Sequence, residues 1–211
     1  MWTGEKMSLT VSAGKGDFQI PPAGNHLARC YRIIDLGTQK TTWQGVEKAM
    51  KKVMITWELH GEDENDGPLI TDDGRPLIIS KRFTPSLGPK ASLRAFLVSW
   101  RGKQFTDDEL MGFQLETIMD KWCMISISHE AKDGKTFANV SSVSGVPAAI
   151  KKAGLPEGIN PSVMFDIDSP NMEIYESMTD YLKELIAKSP EWQMRTHSIP
   201  KQNDKDEDIP F

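Results

Sequence analysis

Residues 122–145 constrain the fold more tightly than any other stretch. They read WCMISISHE, then a turn at Lys132-Asp133-Gly134-Lys135, then TFANVSSVSG. Asp-Gly tolerates the positive backbone angles of a tight hairpin turn, and the flanks are rich in β-branched residues, so the stretch predicts two antiparallel strands. A lone hairpin is marginal in water and needs partners. The sequence supplies them. Residues 51–59 (KKVMITWEL) alternate, with Val53, Ile55, Trp57 and Leu59 on one side and Lys52, Met54, Thr56 and Glu58 on the other. That pattern predicts a half-buried strand with one wet or ligand-facing side. Residues 26–36 (HLARCYRIIDL) form a first strand ending at Gly37, and residues 76–84 (PLIISKRFT) a third. Between strands two and three, residues 61–76 are crowded with Asp, Glu, Gly and Pro and must turn the chain.

Helical periodicity enters after the third strand. Leu93, Phe96, Leu97 and Trp100 fall at i, i+3, i+4 and i+7 and predict one apolar helix face. Thr106 and Glu109 have the spacing of a capping box that opens a second helix. Five strands with a helical insert after the third are the count and order of an OB-fold-type five-stranded β-barrel, so the expected class is mainly β with helical insertions. A further β segment, SVMFDID, spans residues 162–168. A C-terminal helix at about 170–188 follows, with Ser169 as cap, Pro170 at its first position, and Tyr175, Met178, Tyr181, Leu182, Leu185 and Ile186 as its apolar stripe. This helix is expected to pack on the barrel or against a second subunit. The expected organisation is an N-terminal arm at 1–24, a domain at 25–188, and a flexible acidic tail at 189–211.

Composition narrows the function. The chain has 211 residues and 23.7 kDa, enough for one principal domain. It has no apolar run of membrane-spanning length and no secretory leader, so a cytoplasmic protein with no membrane partner is expected. Cys30 and Cys123 stand alone without a CxxC, which argues against a disulfide framework or a zinc site. His26, His60, His129 and His197 show no metal-ligand spacing, and no nucleophile elbow or phosphate-binding glycine loop is present. The acids of residues 61–76 lack the EF-hand ligand spacing. No catalytic residue, metal or cofactor is expected, although dispersed carboxylates could still assemble a nuclease site on folding. The net charge of −5 includes −3 from residues 204–211, which leaves the rest near neutral at −2. Any polyanion site must therefore be a local stripe.

The last six residues, Asp206-Glu207-Asp208-Ile209-Pro210-Phe211, closely resemble the C-terminal tip of the bacterial single-stranded DNA-binding proteins. In that setting Phe211 is an aromatic anchor, its α-carboxylate pairs with a basic residue, and the acids steer towards positive rims. A second resemblance covers the body. CYRIIDLGTQ, KKVMITWEL, ISKRFT, SWRGKQFTDDEL and GKTFANV are similar to a family of tailed-phage proteins whose role is single-stranded DNA binding or unknown. The two resemblances imply a protein of a phage-infected or bacterial cytoplasm. They imply that it coats single-stranded DNA in replication, recombination and repair, and recruits partner proteins through residues 206–211.

Binding single strands requires aromatic platforms for bases and a cationic track for the backbone. The candidates are Arg29, Tyr31 and Arg32 on strand one; Trp43, Lys48, Lys51 and Lys52 in or beside the first hairpin; Lys81, Arg82 and Phe83 on strand three; and Lys135 and Phe137 at the last hairpin. Arg101, with Lys103, follows the first helix. Trp57, Trp100 and Trp122 alternate with apolar neighbours and read as core. Adjacent Lys81 and Arg82 must point to opposite faces. Two other readings stay open: an adaptor that uses the tip to dock on host factors without coating DNA, and a DNA-processing enzyme. The sequence leaves the oligomeric state undetermined.

Overall fold

The Asp-Gly hairpin forms as its sequence demands. Lys132 pairs with Lys135 around Asp133 (φ 51°) and Gly134 (φ 72°), and the ladder runs back from there to Met124 and Ser144. The computed structural model describes residues 19–43, 45–63 and 66–198, with the backbone alone at 43 and 196–198. The strands are β1 (Gly24–Trp43), β2 (Val46–His60), β3 (Ile78–Phe83), β4 (Trp122–Lys132), β5 (Lys135–Ser144) and β6 (Val163–Phe165). Helices α1 (Ser92–Arg101) and α2 (Asp107–Met111) and a 3-10 turn (Leu115–Ile118) separate β3 from β4. After β5 come α3 (Ala148–Ala153), α4 (Met172–Glu176), α5 (Asp180–Ala187) and α6 (Pro190–Ser198). The protein is mainly β, with helices packed on one sheet ordered β3-β2-β1-β4-β5. Every neighbour in that path is antiparallel, and β6 adds to β1 in parallel.

One face of the sheet wraps the main core. Trp57, Phe83, Ile33, Ile55 and Ile125 lie there, and α1 closes it with the apolar stripe that its periodicity predicts: Leu93, Phe96, Leu97 and Trp100 are all buried. Phe96 meets Phe83 at 4.9 Å and Trp57 at 5.6 Å between ring centroids, within the range of favourable tilted aromatic pairs. The sheet curls until its two edges approach. The Lys81 ammonium on β3 donates to the Val140 carbonyl on β5 at 2.6 Å. Among the described residues no backbone ladder joins β3 to β5, so the sheet is open where a closed barrel is expected. A side chain, not a strand pair, spans the seam.

A second core lies on the opposite face. At its bulge β1 changes partner: residues 24–29 pair with β4, and the same edge then pairs Arg32, Ile33 and Ile34 with β6. From β6 the chain runs back over β1 and β2, burying Ile34, Leu36 and Met54 against Phe165, Ile167, Leu182, Ile186 and Trp192. The side of β2 expected to be wet is thus covered: Met54, Thr56 and Glu58 are buried. Alternation marks a polar side chain equally whether water or a buried hydrogen bond satisfies it.

The C-terminal segment also corrects the expected helix and domain end. Asn171 caps α4 in place of Ser169, accepting from the Glu173 and Ile174 amides, and the helix breaks before α5. The Ser-Pro signature is used one copy later. The Ser189 hydroxyl accepts from the Trp192 amide, and Pro190 opens α6. Trp192 stacks on Tyr175 at 4.4 Å, and Glu191 accepts from the Thr38 amide at 3.0 Å and hydroxyl at 2.6 Å. Residues 189–195 therefore belong to the folded body and not to a tail that starts at 189. Gly37 permits this crossing. Its φ is +65°, and a β-carbon there would stand 2.6 Å from that of Ser189. Residues 1–18 of the arm expected at 1–24, and the tip residues 206–211, lie outside the described residues.

Candidate nucleic-acid interface

β1 and β2 form one continuous ladder, yet its two ends differ. Beyond the register shift between Asp35 and Thr38, residues 40–42 and 46–50 are exposed on both faces, and residues 40–43 carry the hairpin on past the body for about 13 Å at the usual rise per residue. The pairs Trp43–Val46, Thr41–Lys48 and Gln39–Met50 put positions 43, 46, 48 and 50 on one face of this arm. Val46 is 57% exposed and Met50 36%. Lys40 lies on the other face, 3.6 Å from Glu47. The last hairpin is also exposed, with Lys132 and Lys135 at its turn and Phe137 48% accessible. The arm and this hairpin contain three of the sequence candidates, Lys48, Lys135 and Phe137, together with the backbone position of Trp43.

Most of the other candidates are engaged in the body. Arg29 is 8% exposed. Its guanidinium donates to Glu58 at 2.8 Å, to Asp120 at 2.5 Å and to the Asn160 carbonyl at 2.5 Å. Glu58, fully buried, also accepts from the Ile159 and Asn160 amides and bonds His60. Burial by itself raises the Glu58 pKa, but the donors of Arg29, His60, Asn160 and Ile159 outweigh it and hold the carboxylate at about 2. This network ties the crossing segment at 158–162 to the sheet and commits the buried Arg29 to internal partners. Tyr31 is buried with its phenol pKa raised by burial, and the Arg32 guanidinium lies 5.4 Å from its ring. Phe83 is 2% exposed and is core.

The remaining lysines and arginines divide by strand parity. Lys81 turns inward over the Phe83 and Phe96 rings, and desolvation lowers its pKa. Arg82 turns outward to the Tyr181 ring and hydroxyl. Tyr181, read in sequence as part of an apolar stripe, is 58% exposed and forms a cation–aromatic pair there. Lys52 donates to Thr84 at 3.0 Å on that outer surface. Lys51 bridges Asp35 at 3.0 Å and Asp168 at 3.2 Å.

With Asp166, those two aspartates place carboxylate oxygens within 4.8 Å of one another. The Lys51 ammonium supplies the positive charge that this group needs. Burial raises the Asp35 pKa in spite of it.

Arg101 opens a surface that sequence reasoning saw only in part. It lines an open cleft of about 360 Å³ together with Lys103, Lys121, Lys151, Phe113 and Trp122. The three lysines come from separate segments, so no local sequence pattern signals their convergence. Trp122, expected in the core, is half-buried at this edge, whereas Trp57 and Trp100 are buried as expected.

No protein-family model matches the chain, and no curated protein sequence matches it. Among the described residues no helix is long and apolar enough to cross a membrane.

Proposed function

We propose that the protein binds single-stranded DNA without strong sequence preference and coats it during replication, recombination and repair in a bacterial cytoplasm, phage-infected or not. The observation that carries this reading is the pair of exposed hairpins. The first and last hairpins of the sheet each put lysines beside exposed apolar side chains: Lys48 with Val46 and Met50, and Lys135 with Phe137. A cationic track beside apolar platforms is what a single strand requires. Strand order supports an OB-type reading. β3-β2-β1-β4-β5, with the two edges facing each other across Lys81, is compatible with the circuit of a five-stranded, partly open OB barrel, a fold whose first and last hairpin loops contact oligonucleotides. Arg82, Tyr181 and Lys52 extend the track over the outer surface of β2 and β3.

The terminal residues 206–211 are read, on their resemblance, as the docking tip for replication and repair proteins. Fluorescence anisotropy of a labelled poly-dT oligonucleotide tests the reading, with the full chain and a version ending before Asp204, at two salt concentrations. Salt-sensitive binding by both supports coating. Absence of binding by both, with partner capture intact, replaces coating with the adaptor reading. Activity that a chelator abolishes moves the protein to the DNA-processing class.

A further inference from the structure

The cleft at the end of α1 lies apart from the two hairpins, and its lining is charged in one sense. Arg101, Lys103, Lys121 and Lys151 converge there against a single carboxylate, Glu109. Asp107 and Asp108, on the first turn of α2, do not line it. Glu109 is already committed: it pairs with Arg101 and closes the capping box with Thr106. Its pKa is lowered by the Thr106 backbone bond first and by Arg101 and Lys103 after it. The three lysines are exposed and have no ion partner among the described residues. Like charges on one concave surface focus a positive potential that an anion relieves.

The same cleft carries flat surfaces. Phe113 and Trp122 are half-buried at its wall. The Arg101 guanidinium is held 4.4 Å from the centroid of Phe105 and 5.3 Å from that of Phe113, with one terminal nitrogen buried and unpartnered among the described residues. A planar cation held against both rings fixes their orientation and keeps its positive charge at the cleft wall.

We propose that this cleft is a second contact point for the same single strand: one nucleotide seats its base against Phe113 and Trp122 and its flanking phosphates on Lys103, Lys121 and Lys151. The inference rests on the single-strand-binding reading and extends it from the hairpins to the helical end of the sheet. A strand engaged at both places follows the body around and does not merely touch the arm.

The test uses the full chain and oligonucleotides carrying 5-iododeoxyuridine, with photo-crosslinked peptides mapped by mass spectrometry. It is joined to the salt dependence of binding for a triple variant, Lys103→Gln with Lys121→Gln and Lys151→Gln. Circular dichroism confirms that the variant is folded. The expected result is crosslinks to the peptides of Phe113 or Trp122 and, in the variant, a slope of log K against log salt reduced by about 1.4, at about 0.7 for each of the two flanking phosphates that the variant no longer neutralises. Wild-type binding with crosslinks confined to the hairpins and an unchanged slope overturns the cleft contact and leaves the proposed function standing. No wild-type binding overturns both. Free thymidine monophosphate that displaces the cleft crosslinks at equal nucleotide concentration makes this a small-molecule site, against the proposal. A slope change that vanishes in the version ending before Asp204 shows that the cleft holds the acidic tail, which also overturns it.

Discussion

β1 and β2 are the same two strands throughout, but their inner and outer halves live in different surroundings. In the inner half both faces are covered, one by α1 and the main core and the other by the chain from β6 to α6. In the arm beyond Gln39 both faces are open. A ladder with nothing packed on it contributes little to stability, because burial of apolar surface supplies most of the driving force. The chain keeps the arm's backbone pairing without that burial. The difference teaches where to look for function: exposed lysines and apolar side chains belong to the arm, whereas the buried charges of the inner half hold the structure together.

The comparison is most sharply broken at Arg29. Arg29→Ala strands the Glu58 carboxylate among donors that no longer balance its burial, and removing one partner of a buried pair costs about 3–5 kcal/mol. Urea unfolding should show that drop, and a change below about 1 kcal/mol would mean that the inner half is not held by this network. Ile186→Ala tests the second core in the same way. Ile186 is fully buried between α5 and β1, and truncations of this kind cost about 2–5 kcal/mol.

The sequence carried the strands legibly and the covering of the sheet poorly, for a physical reason. Period-2 alternation and Asp-Gly are local signals, and β2, the last hairpin and the α1 stripe follow from them. The capping box at Thr106 and Glu109 forms as its spacing predicts. The partners of Arg29 are not local: Glu58, Asp120 and Asn160 come from three separate segments, so nothing near Arg29 marks it as buried. Ser-Pro occurs at 169–170 and at 189–190, and only the packing of Trp192 decides which copy caps a helix. Phe83 and Phe137 look alike in sequence, and strand parity separates a core ring from an exposed one. The lysines of the cleft are equally invisible in sequence, because α1, β4 and α3 bring them together only through the fold.

Acid gives a finer view of the inner half. The Glu58 carboxylate has its pKa depressed to about 2, below the ordinary glutamate value of about 4.3. A depressed pKa stabilises the fold fully above the unfolded value and loses that contribution as pH falls through the folded one. Stability should therefore drop between about pH 4.5 and pH 2, by on the order of 3 kcal/mol for this group. Glu58→Gln removes that part of the pH dependence. Unfolding midpoints of wild type and variant across this window check it, and parallel curves would remove Glu58 from the account.

The smallest effect on stability is expected in the arm, and there it is most informative. Lys40 and Glu47 form a pair exposed to 72% and 62%, the kind of contact that contributes little. Lys48 is exposed, and its carbonyl accepts from the Thr41 hydroxyl, a bond that a side-chain change leaves in place. Lys40→Gln with Lys48→Gln should leave stability within about 0.5 kcal/mol of wild type in urea, as surface changes usually do. On a poly-dT oligonucleotide the same variant should flatten the salt dependence by about 0.7 for each lysine that meets a phosphate. The two measurements together separate the halves of the ladder. If the variant loses stability on the scale of Arg29→Ala, the arm is part of the consolidated body and its exposure has another cause. If stability and DNA affinity both stay unchanged, the arm lysines carry no phosphate contact, and the binding surface must be sought at the last hairpin with Lys135 and Phe137, at Arg82 and Tyr181, and at the cleft.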